Sequence, residues 1–472
     1  MELVPRRAGR LPRWQFQVKN VSLEAINGRE TEFQPAVLEA EYEHESVPQE
    51  ARKSLGSVSL VWLGFPMVLT MALIGSLVVE GLGFQRGVLA ILLGNLVLFA
   101  YVGALSLLAQ RYGLSFALLA SISLGKKGYL VASGLLSTIV LGWFTVQTGL
   151  TAVSLNGAFK WPAVPVVILA GIIYVVITLF GVRALAWIGI VSAPLFVLFG
   201  AYAVYSAVSE KGWATIAAYT GSPTKAIPFA VGISLVVASF IGSGTMTADF
   251  TRWARTPSDA LLATLTAFPF ANGIAMLAGG VVAGAATSTT NLDFFRLVAD
   301  KGGLIAVLAV VFLFANLGSV CSHCLYNSAV GWSHIVRWDM RRTAVVLGGI
   351  GTLVAALGVW AYFINWLNFM SIIIPPIGGI LIADYFYVHR RSLAQLANLP
   401  DYRPAPFLTW ALAAASAFAV NFYVPWIPVV VWGMVVAMLL YPVLARALPE
   451  VRNQPDERPL LTEEEPLRSN VS

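Results

Sequence analysis

The sequence predicts an all-helical polytopic membrane protein with about twelve transmembrane helices, built as two inverted halves. Three observations carry that prediction. Hydrophobic residues make up 58% of the 472 and charged residues only 11%, where a soluble domain carries about 25% charged residues. Apolar segments of about twenty residues, the length a bilayer core demands, follow one another from Ser57 to Ala445. Two of those segments are interrupted by glycine where a helix should continue, at Leu63-Gly64-Phe65-Pro66 and at Phe240-Ile241-Gly242-Ser243-Gly244-Thr245.

The spans are read at 57–79, 87–109, 129–152, 162–182, 185–207, 227–249, 258–285, 303–330, 343–363, 367–387, 406–422 and 426–445. Residues 1–54 form a polar tail without a sustained apolar stripe, 55–447 the membrane domain, and 448–472 a second tail rich in Pro, Glu and Arg, so both tails are expected to be flexible. Loop charge orients the chain. With the N-terminus inside, the inner loops collect Arg111, Lys126, Lys127, Arg183, Arg252, Arg255, Arg337, Arg341, Arg342, Arg390, Arg391 and Arg403, and the outer loops only Arg86, Lys160, Lys211, Lys225, Arg296 and Lys301. That excess places both ends in the cytoplasm. Spans one and six share Ile-Gly-Ser, at Ile74-Gly75-Ser76 and Ile241-Gly242-Ser243. A repeat of five spans, an odd number, turns the second half upside down relative to the first.

Other classes are disfavoured. The net charge of +6 sits in tails and short loops, whereas nucleic-acid binding requires a basic face. Cys321 and Cys324 lie three apart on one helical face, a geometry that disfavours a disulfide along a regular helix. With His323 between them they do not supply the convergent ligands of a zinc site. His44, His323, His334 and His389 form no ligand-spaced set, so neither an enzyme nor a resident cofactor is expected.

In lipid every backbone polar group needs an internal partner, so an unwound stretch survives only where it lines a cavity. Paired interruptions in two halves mark the place where a transporter holds its solute. Side chains that suit such a site occur nearby. Span three carries Trp143 with Gln147 one turn on; span six carries Phe240 inside its break, among Ser239, Ser243 and Thr245; span eight carries Asn316, Ser319, Ser322 and His323. Two aromatic faces and two amides suit a flat heterocycle. Spacing alone equally allows Trp143 and Phe240 to be packing residues between helices. His323 is either a proton relay or a neutral cross-helix hydrogen-bonder. Asp249 and Asp384, near span ends, are read as structural partners of neighbours such as Arg252, and Glu80 as an outer-end gate or interfacial group.

An ordered set of short motifs then carries a resemblance. It comprises Val47-Pro48-Gln49-Glu50-Ala51-Arg52-Lys53, Leu92-Leu93-Gly94-Asn95, Gly142-Trp143-Phe144, Ser239-Phe240-Ile241, Thr247-Ala248-Asp249-Phe250 and Ile374-Pro375-Pro376-Ile377-Gly378-Gly379, the last followed by Ile382-Ala383-Asp384-Tyr385. From about Val47 to Ala445 the chain resembles the nucleobase–cation symporter-1 family, and within it the bacterial cytosine permeases. The resemblance implies a five-plus-five inverted-repeat fold of the sodium-coupled transporter type, with helices one and six broken and two further helices. It implies that Trp143 and Phe240 sandwich a nucleobase and that Asn316 hydrogen-bonds it. It also exposes departures. The Gln that cytosine permeases carry before the tryptophan falls on Val140, Gln147 matches the hydantoin-transporting relatives, and the small hydroxyl after the helix-six aromatic is Gly242. Cation coupling in sodium-dependent relatives uses two adjacent helix-eight hydroxyls, here Ser319 and Val320, with helix-one carbonyls near Gly64, Met67 and Val68. One hydroxyl is thus missing, and proton coupling through His323 stands beside sodium coupling. The expected function is nucleobase import by cation symport. The alternatives are a related heterocycle (a hydantoin, allantoin or a thiamine-precursor pyrimidine) and a non-transporting sensor on the same fold. The expected partners are the small solute and the bilayer, with no required protein partner.

Overall fold

The computed structural model describes residues 41–42, 44–285, 295, 299–300, 302–388 and 399–448. Most of both predicted tails, together with His389, Arg296, Lys301, Arg390 and Arg391, lies outside the described residues. The chain divides into Met1–Glu39 and Ala40–Ser472, and everything below concerns the second unit.

Helices account for nearly all of it. In chain order they are α1 (Leu55–Gly64), α2 (Leu69–Leu82), α3 (Phe84–Tyr112), α4 (Phe116–Leu124), α5 (Tyr129–Phe159), α6 (Ala163–Leu179), α7 (Gly181–Lys211), α8 (Trp213–Ala217), α9 (Phe229–Thr245), α10 (Ala248–Thr251), α11 (Pro257–Leu265) and α12 (Asn272–Ala285). They continue as α13 (Gly303–Val336), α14 (Met340–Ala356), α15 (Phe363–Ile373), α16 (Pro375–Ala383), α17 (Pro404–Tyr423) and α18 (Val429–Ala447). Every predicted span falls on one of these helices or on a consecutive pair. Among the described residues, eight stretches are long and apolar enough to cross a membrane, or nine if the bent pair α1–α2 counts as one. The count of twelve is therefore not reached by length and composition. The shortfall is in α6, α9 and α14, each of 17 residues. Such a helix rises only about 26 Å at 1.5 Å per residue, under the ~30 Å hydrocarbon thickness.

The first predicted break is present. Between Gly64 and Leu69 the chain bends by 57°, because Pro66 cannot donate to a helical ladder and its ring clashes with the preceding turn. Gly64 meets Gly189 of α7 backbone against backbone, where a Cβ would overlap the Gly189 Cα. On the other side of the bend, α2 crosses α12 at Gly75 against Met276 and Gly279 against Ala72, again main chain to main chain. Small residues at such crossings are what helix packing in lipid uses.

The second break is displaced from its predicted position. α9 runs unbroken through Gly242 and Gly244 to Thr245 and turns only at Met246–Thr247, before the short α10. Phe240 thus lies inside a regular helix rather than in an unwound stretch. The glycines serve packing instead: a Cβ on Gly244 would come within 2.9 Å of Val102, and one on Gly242 within 3.4 Å of Val140.

The last residues of the predicted N-terminal tail are also docked rather than loose. Glu41 and Val47 are 4% and 1% exposed, and Lys53 forms a parallel bridge with Ala254. The two buried acids near span ends anchor α4. Asp249 accepts a hydrogen bond from the Phe116 N–H at its start (2.9 Å), and Asp384 accepts one from Ser123 near its end (2.8 Å). Arg252 does not hydrogen-bond Asp249; its guanidinium donates to the carbonyls of Glu41 and Tyr42. Asp384 is instead paired with Arg403 at 3.3 Å and also accepts from Tyr441.

Candidate functional site

The unwound turn between α1 and α2 leaves backbone groups without helical partners, and α13 supplies them. The Leu69 N–H donates to Asn316 Oδ1 at 2.9 Å, and Asn316 Nδ2 donates to the Met67 carbonyl at 2.9 Å and to Ser192 Oγ of α7 at 3.1 Å. One α-helical turn further along, Ser319 Oγ donates to the Gly64 carbonyl at 2.8 Å. The Val68 carbonyl accepts from Met71 and Ala72 at the start of α2. Sequence-assigned Asn316, Ser319, Gly64 and Met67 are therefore brought together at one crossing. Gly64 O, Met67 O and Ser319 Oγ are the oxygens that can hold a cation there, while the neighbouring Val320 adds none.

Gln147, on α5, is fully buried, and its Oε1 accepts from Thr70 Oγ1 of α2 at 2.5 Å. Its Nε2 has no partner within the protein. A buried amide with one end tethered and one end unpaired can donate to a polar solute. Trp143 packs edge-on against Phe363 of α15 at 5.3 Å. Phe240 packs edge-on against Phe65 of the α1–α2 turn (5.0 Å) and against Phe268 between α11 and α12 (5.2 Å). Each ring thus has partners of its own. Ser239 bonds back to Val236 on its own helix, and Thr245 pairs with Tyr101 at 2.6 Å. Gly242 faces Val140, so the position where the related pattern has a hydroxyl meets an aliphatic side chain.

His323 is completely buried and stacks on Phe65 with ring centres 4.7 Å apart. Its Nδ1 lies 2.7 Å from the Ser319 carbonyl; a carbonyl only accepts, so Nδ1 carries a hydrogen. Several partners were not singled out from the sequence: Thr70, Ser192, Phe65 and Phe268. Phe65 was visible as part of the break itself. Thr70 and Ser192 are ordinary hydroxyls in apolar helices, and only the folded crossing gives them a role. An apolar cavity of about 580 Å³ opens between α5, α14 and α15, lined by Leu141, Val146, Ile350, Tyr362 and Trp366 among others. It includes none of the sequence-assigned residues and lies on another face of α5.

Residues 46–441 match a family described as permeases for cytosine/purines, uracil, thiamine and allantoin. The cytosine permease of Escherichia coli strain K12 is 32% identical over 405 residues, covering 85% of this chain and 94% of that protein. The chain belongs to this permease family. A hydantoin permease of Microbacterium maritypicum is 25% identical over 429 residues, covering 83% of this chain and 86% of its own length. Among solved structures, Mhp1, a nucleobase-cation-symport-1 family transporter in a closed conformation with bromovinylhydantoin bound, superposes with a TM-score of 0.72 at 19% identity, over 86% of this permease and 95% of that chain. That likeness shows a shared fold. The permease is an all-helical membrane transporter and not an enzyme.

Proposed function

We propose that this permease imports a nucleobase, cytosine or a related pyrimidine or purine, by cation-coupled symport and alternating access. The observation that carries the reading is the unpaired Gln147 amide beside the α1–α2 turn, with Trp143 on the same helix and Phe240 facing the turn through Phe65. In this reading the base stacks between Trp143 and Phe240 and meets Gln147 at its edge. Asn316, already bonded to the turn, holds the frame against which the base is read. Twelve spans, two inverted five-helix halves and two cytoplasmic termini complete the arrangement, with α1–α2 and α9–α10 as the two broken helices.

For the cation, Gly64 O, Met67 O and Ser319 Oγ form a partial oxygen shell for sodium, and His323 is the alternative carrier of a coupling proton. Radiolabelled cytosine uptake into proteoliposomes, with sodium and proton gradients imposed separately, tests both points at once. Uptake driven by either gradient supports nucleobase symport and identifies the ion. Cytosine binding without flux identifies a sensor. A second reading, transport of a hydantoin-like heterocycle, draws support from Gln147, which occupies the position of the hydantoin-transporting relatives while Val140 replaces the cytosine-permease glutamine. Hydantoins that displace bound label while cytosine does not would decide for it. Trp143→Ala, in protein that still reaches the membrane, is expected to lower uptake by roughly five- to hundredfold, since base–aromatic stacking contributes ~1–3 kcal/mol per base. Wild-type uptake in that variant would remove the stacking model.

A further inference from the structure

A column of rings leads from the candidate site to the end of the bundle where residues 41–53 lie. Phe240 meets Phe65 at 5.0 Å; Phe65 stacks on His323 at 4.7 Å and meets Phe250 of α10 at 5.8 Å; Phe250 stacks on Tyr326 of α13 at 5.9 Å. The Tyr326 hydroxyl donates to Glu41 Oε2 at 2.8 Å. The other carboxylate oxygen accepts from the Val182 N–H of α7 at 3.2 Å. Gly181, with φ +67°, leaves room there, since a Cβ would strike Glu41 Oε1. Arg252, just past α10, donates to the Glu41 and Tyr42 carbonyls at 2.8 and 2.7 Å. The segment then crosses to the end of α3, where the Val47 N–H donates to Gly113 O at 2.9 Å, Ser46 Oγ to Tyr112 O at 2.6 Å and Arg52 to Gln110 O at 2.7 Å. The described residues 41–42 and 44–53 thus fasten α3, α7, the end of α10 and α13 to one another, and a side chain of the segment holds the last ring of the column.

We propose that residues 41–42 and 44–53 form an inner latch, with Glu41 pinning Tyr326 so that the ring column stays shut, and that the latch undocks before this end of the permease opens. The proposal rests on the alternating-access reading for what the column obstructs, but the docking itself does not depend on any substrate. The chemistry is that of a strap over a seam. Its carboxyl and carbonyl oxygens accept hydrogen bonds from Tyr326, the Val182 N–H and Arg252, and its removal takes those acceptors away in a buried place, a cost that holds the strap down at rest. Opening then requires those donors to find water, which reaches them only when α10 moves away from α13.

Two measurements on the full chain in nanodiscs test it. Spin labels at Glu45→Cys and Trp338→Cys, both exposed positions, report the distance between strap and α13 end; the native cysteines are buried and stay unlabelled. The parent is expected to give one narrow distribution. Glu41→Ala is expected to add a longer-distance population, raising the undocked fraction roughly tenfold or more, and Tyr326→Phe to do the same to a smaller degree. An unchanged distribution in Glu41→Ala overturns the latch. The second measurement joins Lys53→Cys to Ala254→Cys, the partners of the parallel bridge between the strap and the chain after α10. The oxidised protein is expected to bind radiolabelled base yet exchange none across the membrane, with exchange restored by reduction. Exchange at an equal rate in oxidised and reduced protein also overturns the proposal. If the parent binds no base, the nucleobase reading has failed, and the label distances still decide whether Glu41 holds the strap.

Discussion

Asn316 has an amide oxygen and an amide nitrogen, and both are engaged by the main chain of one turn and a hydroxyl of α7. From the sequence it reads as a group that meets the solute edge; folded, it is also the clamp that keeps α1 and α2 apart at the bend. Asn316→Ala is expected to lower stability by about 1–3 kcal/mol, the usual cost of leaving buried backbone groups unpaired, read as an earlier thermal transition of the detergent-solubilised protein. A variant as stable as the parent would mean that water replaces the amide. Glu41 gives a second prediction at this scale. Its carboxyl lies among Tyr326, the Val182 N–H, Arg252 and the charge of Arg341, and burial, the largest influence, raises its pKa above the usual carboxylate value. Docking therefore takes up a proton. The docked segment is most stable when Glu41 is protonated, at low pH, and weakens as pH rises from the ordinary carboxylate range through the raised value. Spin-label distances recorded over roughly pH 4 to 8 should show the undocked population growing with pH in the parent and flat in Glu41→Gln.

Among elements, α4 is the one that no hydrophobic period announces. Nine residues long and buried almost throughout, it is too short to span and reads in sequence as part of a loop. Its position is set from both ends by acids of two other elements, Asp249 of α10 at the Phe116 N–H and Asp384 after α16 at Ser123. α4 thereby couples the short helix after the α9 turn to the α15–α16 pair. The second acid also pairs with Arg403, both side chains 3% exposed. Asp384→Asn leaves that guanidinium without its counter-charge, and breaking a buried pair from one side costs ~3–5 kcal/mol. The expected outcome is a marked drop in melting temperature and in the fraction of protein extracted as a monodisperse species. Arg403→Met with Asp384→Leu should recover part of the loss, because replacing both partners removes the uncompensated charge.

For the whole molecule, the frame depends on two glycine crossings, Gly64 against Gly189 and Gly75–Gly279 between α2 and α12. A side chain at either would separate main chains now in contact, and in lipid no hydrophobic gain offsets the lost packing. Gly279→Val is expected to abolish folded yield in the membrane, whereas Gly349→Val, at a helical glycine with open space around its Cβ position, should be tolerated; fluorescence-detected size-exclusion of tagged protein separates the two.

The sequence by itself determined the class, the places of the long apolar helices and the bend after Gly64. Apolar content and segment length are local quantities that a bilayer reads directly, and a proline inside an apolar run has one outcome for the ladder. It also brought forward Gln147, Asn316 and Ser319, because amides and hydroxyls in apolar helices need partners wherever they lie. Only the tertiary structure decided where α9 turns, since Gly242 and Gly244 are compatible with unwinding or with close packing, and Val102 and Val140 chose the latter. It alone showed that the hydrogen bonds of Arg252 go to the segment at Glu41, while Asp249, three residues away, feels only its charge. A charged side chain buried at a helix end pairs with whatever the fold brings within hydrogen-bond reach, and here that partner comes from more than two hundred residues earlier in the chain.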